Sequence, residues 1–318
     1  MLDILSAIVP IFLIVAVGYG VTRVGVLQRA DMTVLSTYVV KVALPTLVFV
    51  AVSGRSLGEV LNPTYLLIYA AAAMMMIGLS LLWARKRRFP AARGTTLALV
   101  AAGTNNGFVG FPIFLLLLPE VAGPAVGMDM MVDSLLIFPV AILLYEAGAG
   151  EEMQWGRRLL GTLQRVVLHP LMIAIALALG VTALKISLPA MVESAVTLVA
   201  NSASAVALFT VGGMLVGLRL GDQRLDVTAG VIGKLFAMPA IAVGLALLLP
   251  AVGLPELDPD LRAAAILTCA LPSPASAPAF AEQYGEGEFG AAIQLLSTLL
   301  SFLTITGWLL ALSAVGWM

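Results

Sequence analysis

Gly103-Thr-Asn-Asn-Gly-Phe-Val-Gly-Phe-Pro112 and Ala270-Leu-Pro-Ser-Pro-Ala-Ser-Ala-Pro278 each interrupt a long apolar run with residues that do not sustain a helix. Around them the chain is almost wholly apolar. Of 318 residues, 61% are hydrophobic and 11% charged, and the mean hydropathy is +1.05. A soluble domain carries about 25% charged residues, so this chain has too little polar surface to cover itself. The composition implies an all-α integral membrane protein and excludes a soluble enzyme and a nucleic-acid partner. One Cys excludes a disulfide framework or a thiolate metal site; no metal and no cofactor is expected.

Charges and Gly/Pro breaks divide the chain into ten expected spans: 4–24, 31–53, 63–84, 92–118, 125–148, 159–183, 189–217, 227–250, 261–284 and 288–315. Each is near the roughly 20 apolar residues that a membrane helix needs. The first is read as a membrane helix and not as a cleaved signal, because Asp3 replaces the basic start that such signals carry. Twelve cations fall on the side reached after an odd number of spans: Arg23, Arg29, Arg85, Lys86, Arg87, Arg88, Arg93, Arg157, Arg158, Arg165, Arg219 and Arg224. Three, Arg55, Lys185 and Arg262, fall on the other. That bias predicts both termini on the non-cytoplasmic side of the inner (plasma) membrane. The run 85–88 reads as a topology anchor that also meets anionic headgroups.

The polar stretch 149–158 separates five spans from five, giving a first repeat at 1–148, a cytoplasmic linker at 149–158 and a second repeat at 159–318. Five is odd, so a duplicated second half enters the membrane inverted. The two quoted stretches then fall at matching places, in spans 4 and 9. Matched interruptions of this kind point to a transporter's binding site. Unwinding a helix at mid-membrane strands backbone N–H and C=O groups, which is costly unless something answers them. The second half-helix of each break offers free N–H groups and a positive dipole end, and Pro112 and Pro274 suit such starts. If the half-helices cross, the point where they meet favours an anion. Asn105, Asn106, Gly107, Pro112, Pro272, Ser273, Pro274 and Ser276 are the expected binding residues.

The segment Asn105-Asn-Gly-Phe-Val-Gly-Phe-Pro112 resembles the Asn-x-Gly-x-x-Gly-x-Pro signature of the auxin efflux carrier family. Gly18-Tyr19, Leu44-Pro-Thr-Leu-Val-Phe49, the Pro-rich break in span 9 and Ser297-Thr-Leu-Leu-Ser301 match as well. The resemblance implies two inverted five-helix repeats with crossed, broken spans 4 and 9, as in sodium/proton antiporters and bile-acid symporters. It implies a scaffold of spans 1, 2, 6 and 7, a moving unit of spans 3, 4, 5, 8, 9 and 10, and a small carboxylate substrate such as malonate, malate or auxin. A homodimer through the scaffold is compatible with it. The short linker here fits a compact bacterial-type member and departs from plant relatives with a long central loop. His169 stands where the family more often has Asn.

Charged residues inside the spans are candidates for function by default. Asp133 in span 5 is read as a coupling residue or half of an ion pair. Lys41, ten residues into span 2 and so about 15 Å deep at 1.5 Å per residue, is read as drawing a carboxylate from the scaffold side. Lys234 in span 8 is read as an ion-pair partner or a built-in cation. His169 is a proton-relay candidate, or a residue that packs against polar backbone. Asp129 is expected nearer the outer surface and solvated, and Glu146 solvated at the cytoplasmic interface.

Other classes fit less well. One His forbids a zinc protease site, Asp133 has no evident second catalytic acid, and Ser273 and Ser276 have no nearby base. A purely structural protein has no need of paired breaks. A channel needs continuous polar faces or carbonyl rings. The expectation is a secondary transporter exporting organic carboxylates by elevator-type alternating access without sodium; a sodium-coupled organic-anion symporter of the bile-acid type is the alternative.

Overall fold

The computed structural model describes residues 2–53, 61–149, 168, 170–184, 186, 188–217 and 224–317. Regular structure among them is entirely helical. Among the described residues, seven helices are long and apolar enough to cross a membrane: Ala30–Val52, Pro63–Arg87, Ala91–Leu117, Ala122–Gly148, Ala190–Met214, Arg224–Ala251 and Gly287–Ala314. Val9–Arg23 and Met172–Ala183 are shorter apolar helices in spans 1 and 6. Span 9 is divided into Pro259–Ala270 and Ala277–Glu282. Helix thus lies in each of the ten expected segments. Residues 150–158 of the linker and His169 lie outside the described residues.

Proline sets many of the starts. Pro63, Pro170 and Pro259 open their helices, and Pro90 and Pro189 immediately precede theirs. The first helical turn has no partner for its N–H groups, so a residue lacking that group costs nothing there.

Proline also explains four irregularities. A five-residue π-helical turn interrupts spans 2, 4, 5 and 8 at Val39–Ala43, Asn106–Gly110, Asp133–Ile137 and Gly233–Ala237. Two residues beyond each stands a proline: Pro45, Pro112, Pro139 and Pro239. A proline ring clashes with the carbonyl four residues back and cannot donate to it. Widening the preceding turn relieves that conflict without ending the helix.

The chain packs as two compact units. The first comprises Met1–Asn62, Gly107–Met128 and Arg165–Gly217; the second comprises Pro63–Asn106, Asp129–Gln164 and Leu218–Met318. Each draws on both expected repeats, so packing follows a different division from chain order.

In the first unit, Leu2–Arg23 lies along Ala190–Met214 with backbones nearly touching. A Cβ on Gly18 would strike the Phe209 carbonyl, and one on Gly212 the Val15 carbonyl. Apolar lipid gives helices no hydrophobic reason to associate, so close approach through small residues supplies the dispersion contact. Tyr38 and Ser202 hydroxyls join span 2 to span 7 at 2.7 Å, and the second half of span 4, Phe111–Leu117, packs on spans 1 and 7.

The second unit gathers spans 3, 8 and 10, the first half of span 4, most of span 5 and both halves of span 9. At its edge, Arg93 pairs with Glu286 at 3.1 Å and covers the Phe289 ring, while Tyr145 and Tyr284 stack at 3.9 Å. Glu146 accepts the Tyr284 hydroxyl at 3.3 Å and is buried, which corrects the expectation of a solvated acid.

Candidate functional site

The two breaks meet in the second unit. The first half of span 4 ends at Ala102, the first half of span 9 at Ala270. An α-helix leaves its last four carbonyls without intrahelical partners, and here the breaks answer one another. The Asn105 N–H donates to the Pro272 carbonyl at 2.9 Å. The Ser273 hydroxyl donates to the Val100 carbonyl, in the last turn of the opposite half-helix, at 2.6 Å. The Ser273 N–H in turn donates to the Ser297 hydroxyl of span 10 at 3.2 Å. Gly103 permits the approach: a Cβ there would lie 2.6 Å from Pro274 Cγ. Part of the backbone cost of unwinding is therefore met within the protein.

Proline placement differs from the expectation for span 9. Its second half begins at Ala277 after Ser276, with Pro278 in the first turn. Pro274 lies in the non-helical break, where it packs on Gly103. Pro112 does stand in the first turn of Phe111–Leu117, but a π turn already precedes it.

Beside the break lies a polar ladder between spans 3 and 5. Tyr65 and Tyr69 are four residues apart, as are Asp129 and Asp133, so each pair shares one helix face. The Tyr65 hydroxyl donates to Asp129 Oδ1 at 2.9 Å, and the Tyr69 hydroxyl to Asp133 Oδ1. Each carboxylate accepts a second bond. Thr268, in the last turn before the span 9 break, donates to Asp129 Oδ2 at 2.8 Å. Asn106, at the span 4 break, donates through Nδ2 to Asp133 Oδ2 at 2.9 Å. Thr268 and Thr104 also lie 3.0 and 2.9 Å from the Tyr65 and Tyr69 hydroxyls. Asp129 is fully buried, not solvated, because Tyr65 and Thr268 replace water at its two oxygens.

Lys234 adds a buried charge of opposite sign. It is 0% exposed, and its ammonium lies 3.0 Å from Met238 Sδ, one helical turn on. No carboxylate comes within ion-pair distance among the described residues, yet it is near enough to Asp129, Asp133 and Cys269 to interact with them electrostatically. Its π turn packs against Pro63–Arg87, Ala91–Ala102, Pro259–Ala270 and Gly287–Ala314. Of these, the half-helices Ala91–Ala102 and Pro259–Ala270 present their carbonyl ends at the breaks, and a helix C-terminus favours a cation.

The second unit thus holds Asn105, Asn106, Pro272, Ser273, Pro274, Asp133 and Lys234, all buried. Ser276, also in that unit, is exposed. Gly107, Pro112 and Lys41 belong to the first unit. There Pro112 is buried, Lys41 is exposed, and a Cβ on Gly107 would lie 2.8 Å from Leu44 Cδ2.

Sequence reading passed over Tyr65, Tyr69, Thr104 and Thr268. The matched Tyr-x-x-x-Tyr and Asp-x-x-x-Asp spacings were the available signal. A second lay in the prolines, since each π turn carries a polar residue of interest: Lys41, Asn106, Asp133 or Lys234.

Comparison with known proteins covers almost the whole chain. Residues 3–309 match the family described as membrane transport protein. A protein of Rhizobium meliloti (strain 1021) named "Putative malonate transporter" is 28% identical over 314 residues, covering 96% of this chain and 95% of that protein. An "Uncharacterized transporter" of Methanothermobacter thermautotrophicus is 27% identical over 109 residues, 34% of this chain and 36% of its own length.

Proposed function

The chain belongs to the membrane transport protein family, that of the auxin efflux carriers, and we propose that it exports small organic carboxylate anions by alternating access. The observation that carries this reading is the joining of two mid-span helix breaks, with the Asn105 N–H on the Pro272 carbonyl and the buried Asn106 amide beside it. Helix breaks at matching places in two inverted repeats, 1–148 and 159–318, suit a midplane site. The malonate named for the Rhizobium meliloti relative makes a small dicarboxylate the first substrate to try.

The proposed cycle begins with a carboxylate reaching the break from the cytoplasm, held by N–H groups of the unwound backbone and by the Asn105 and Asn106 amides. Spans 3, 4, 5, 8, 9 and 10 then move against spans 1, 2, 6 and 7, where Lys41 draws the anion on. With both termini outside the inner membrane and a negative interior, expulsion is favoured by about 2.3 kcal/mol per net negative charge carried per 100 mV. Sodium independence is supported by the carboxylates themselves. All four oxygens of Asp129 and Asp133 accept protein N–H or O–H donors, and a sodium ion would have to displace these.

The test is charge movement in proteoliposomes, with malonate, malate and indole-3-acetate, with and without sodium, for the wild type and Asn106→Ala. Sodium-independent currents lost in the variant support the reading. Currents seen only with sodium move the protein to the symporter class, and equal currents in both proteins reject the site.

A further inference from the structure

Asn106 is 2% exposed, and only one end of its amide is bonded. Nδ2 donates to Asp133 Oδ2 at 2.9 Å, whereas Oδ1 is buried and meets no hydrogen-bond donor among the described residues. A buried acceptor left unmet is destabilising, and a side chain able to turn end for end would escape that cost if its neighbour offered a proton. Asp133 is that neighbour.

Charge points the same way. Asp129, Asp133 and Lys234 are buried together, and fully ionised they sum to −1. Bringing a carboxylate to Asn106 would add a second uncompensated negative charge in a low dielectric. A proton taken up with the carboxylate cancels one unit of that charge, and a malonate dianion bound with it still carries one net negative charge. The Asn106 amide is also committed to Asp133 while that residue is ionised, so it can give little to a substrate.

We propose that Asp133 is a proton-binding site that switches Asn106 between two partners. A proton from water adds to Asp133 Oδ2, whose O–H then donates to Asn106 Oδ1 after the amide turns over. The Nδ2 group moves to the edge where Oδ1 now stands, and its N–H groups hold the substrate carboxylate. Tyr69 keeps its bond to Asp133 Oδ1 throughout. Proton and carboxylate thereby bind cooperatively, since each removes an obstacle to the other. Among the described residues, the titratable groups that interact with Asp133 are Asp129 on its own span, Tyr69 on span 3, Lys234 on span 8 and Cys269 on span 9; the span 4 break contributes Thr104 and Asn106. Of the two acids, Asp133 takes the role because Asp129 is paired with hydroxyls, which donate or accept by rotating and leave no orphan atom.

This site rests on the carboxylate-transport reading, and the experiment separates the two. Malonate binding to the purified, full-length protein in detergent is measured by calorimetry across the neutral pH range, in several buffers so that proton uptake is read directly. Wild-type affinity is expected to fall about tenfold per pH unit on the alkaline side, with one proton taken up per malonate. Asp133→Asn, whose amide can donate to Asn106 Oδ1 without a proton, is expected to bind malonate at alkaline pH as wild type does at acid pH, and with no slope. Asp129→Asn is expected to keep the slope. Wild-type binding that is flat in pH and free of proton uptake overturns the switch while leaving carboxylate transport intact, whatever the variants do. A folded Asp133→Asn that keeps the slope, or loses binding, overturns it too. Absence of binding for malonate, malate and indole-3-acetate at every pH sinks the transport reading, and the switch falls with it.

Discussion

The Leu235 carbonyl accepts a hydrogen bond from the Trp308 indole N–H at 3.0 Å. Pro239, four residues along span 8, has no N–H to offer that carbonyl, and a side chain from span 10 takes its place. Trp308→Phe keeps most of the ring and removes the donor. The expected result is a loss of about 1–3 kcal/mol, measured as earlier thermal unfolding in detergent. No change would mean that another donor reaches Leu235.

Lys234 offsets one of the two acids buried near it, Asp129 and Asp133, so its removal leaves both uncompensated. Lys234→Met is expected to destabilise by about 3 kcal/mol, whereas Lys234→Met combined with Asp133→Asn recovers most of that loss. Unfolding curves for the two single variants and the double variant form a cycle. An additive result would show that the lysine and the acid do not sense one another.

Ser273 and Ser276 are three residues apart and have opposite surroundings. Ser273 bonds to Val100 and Ser297 and is fully buried, while Ser276 is exposed. Ser273→Ala is therefore expected to cost about 1–2 kcal/mol, since it strands the Val100 carbonyl, and Ser276→Ala to be close to neutral. Denaturation monitored by tryptophan fluorescence would distinguish them, and equal costs would contradict the joint between the breaks.

Gly103 and Gly20 form a similar contrast. A Cβ on Gly103 would lie 2.6 Å from Pro274 Cγ and 3.2 Å from the Leu99 carbonyl, but one on Gly20 meets nothing within 4 Å. Gly103→Ala is expected to abolish malonate currents with the protein still inserted, because the breaks are pushed apart. Gly20→Ala should conduct as wild type does. A fully active Gly103→Ala would mean that Pro274 gives way easily.

Hydropathy and proline made much of this legible beforehand. Apolar runs predict helices because a membrane leaves the backbone no other partner, so the spans and the interruptions at Gly103 and Ala270 could be read directly. Burial of individual polar residues could not. Asp129 looked solvated from its place near a helix start, yet it is enclosed because Tyr65 and Thr268, from two other spans, reach its oxygens. The start of the second half of span 9 was set three residues too early, since Pro274, Pro278 and Pro272 all suit a helix boundary and only packing against Gly103 selects among them. The pairing of Asn106 with Asp133 joins residues 27 positions apart, across a connection whose path periodicity does not give.

The bond from Asn105 to Pro272 has a last consequence. Both of its atoms belong to the main chain, so the identity of either side chain is irrelevant to it, and at position 105 only a proline would delete the donor. The amides and hydroxyls around the joint can therefore be exchanged without deleting this bond. This part of the seam between the two breaks is held by main chain alone.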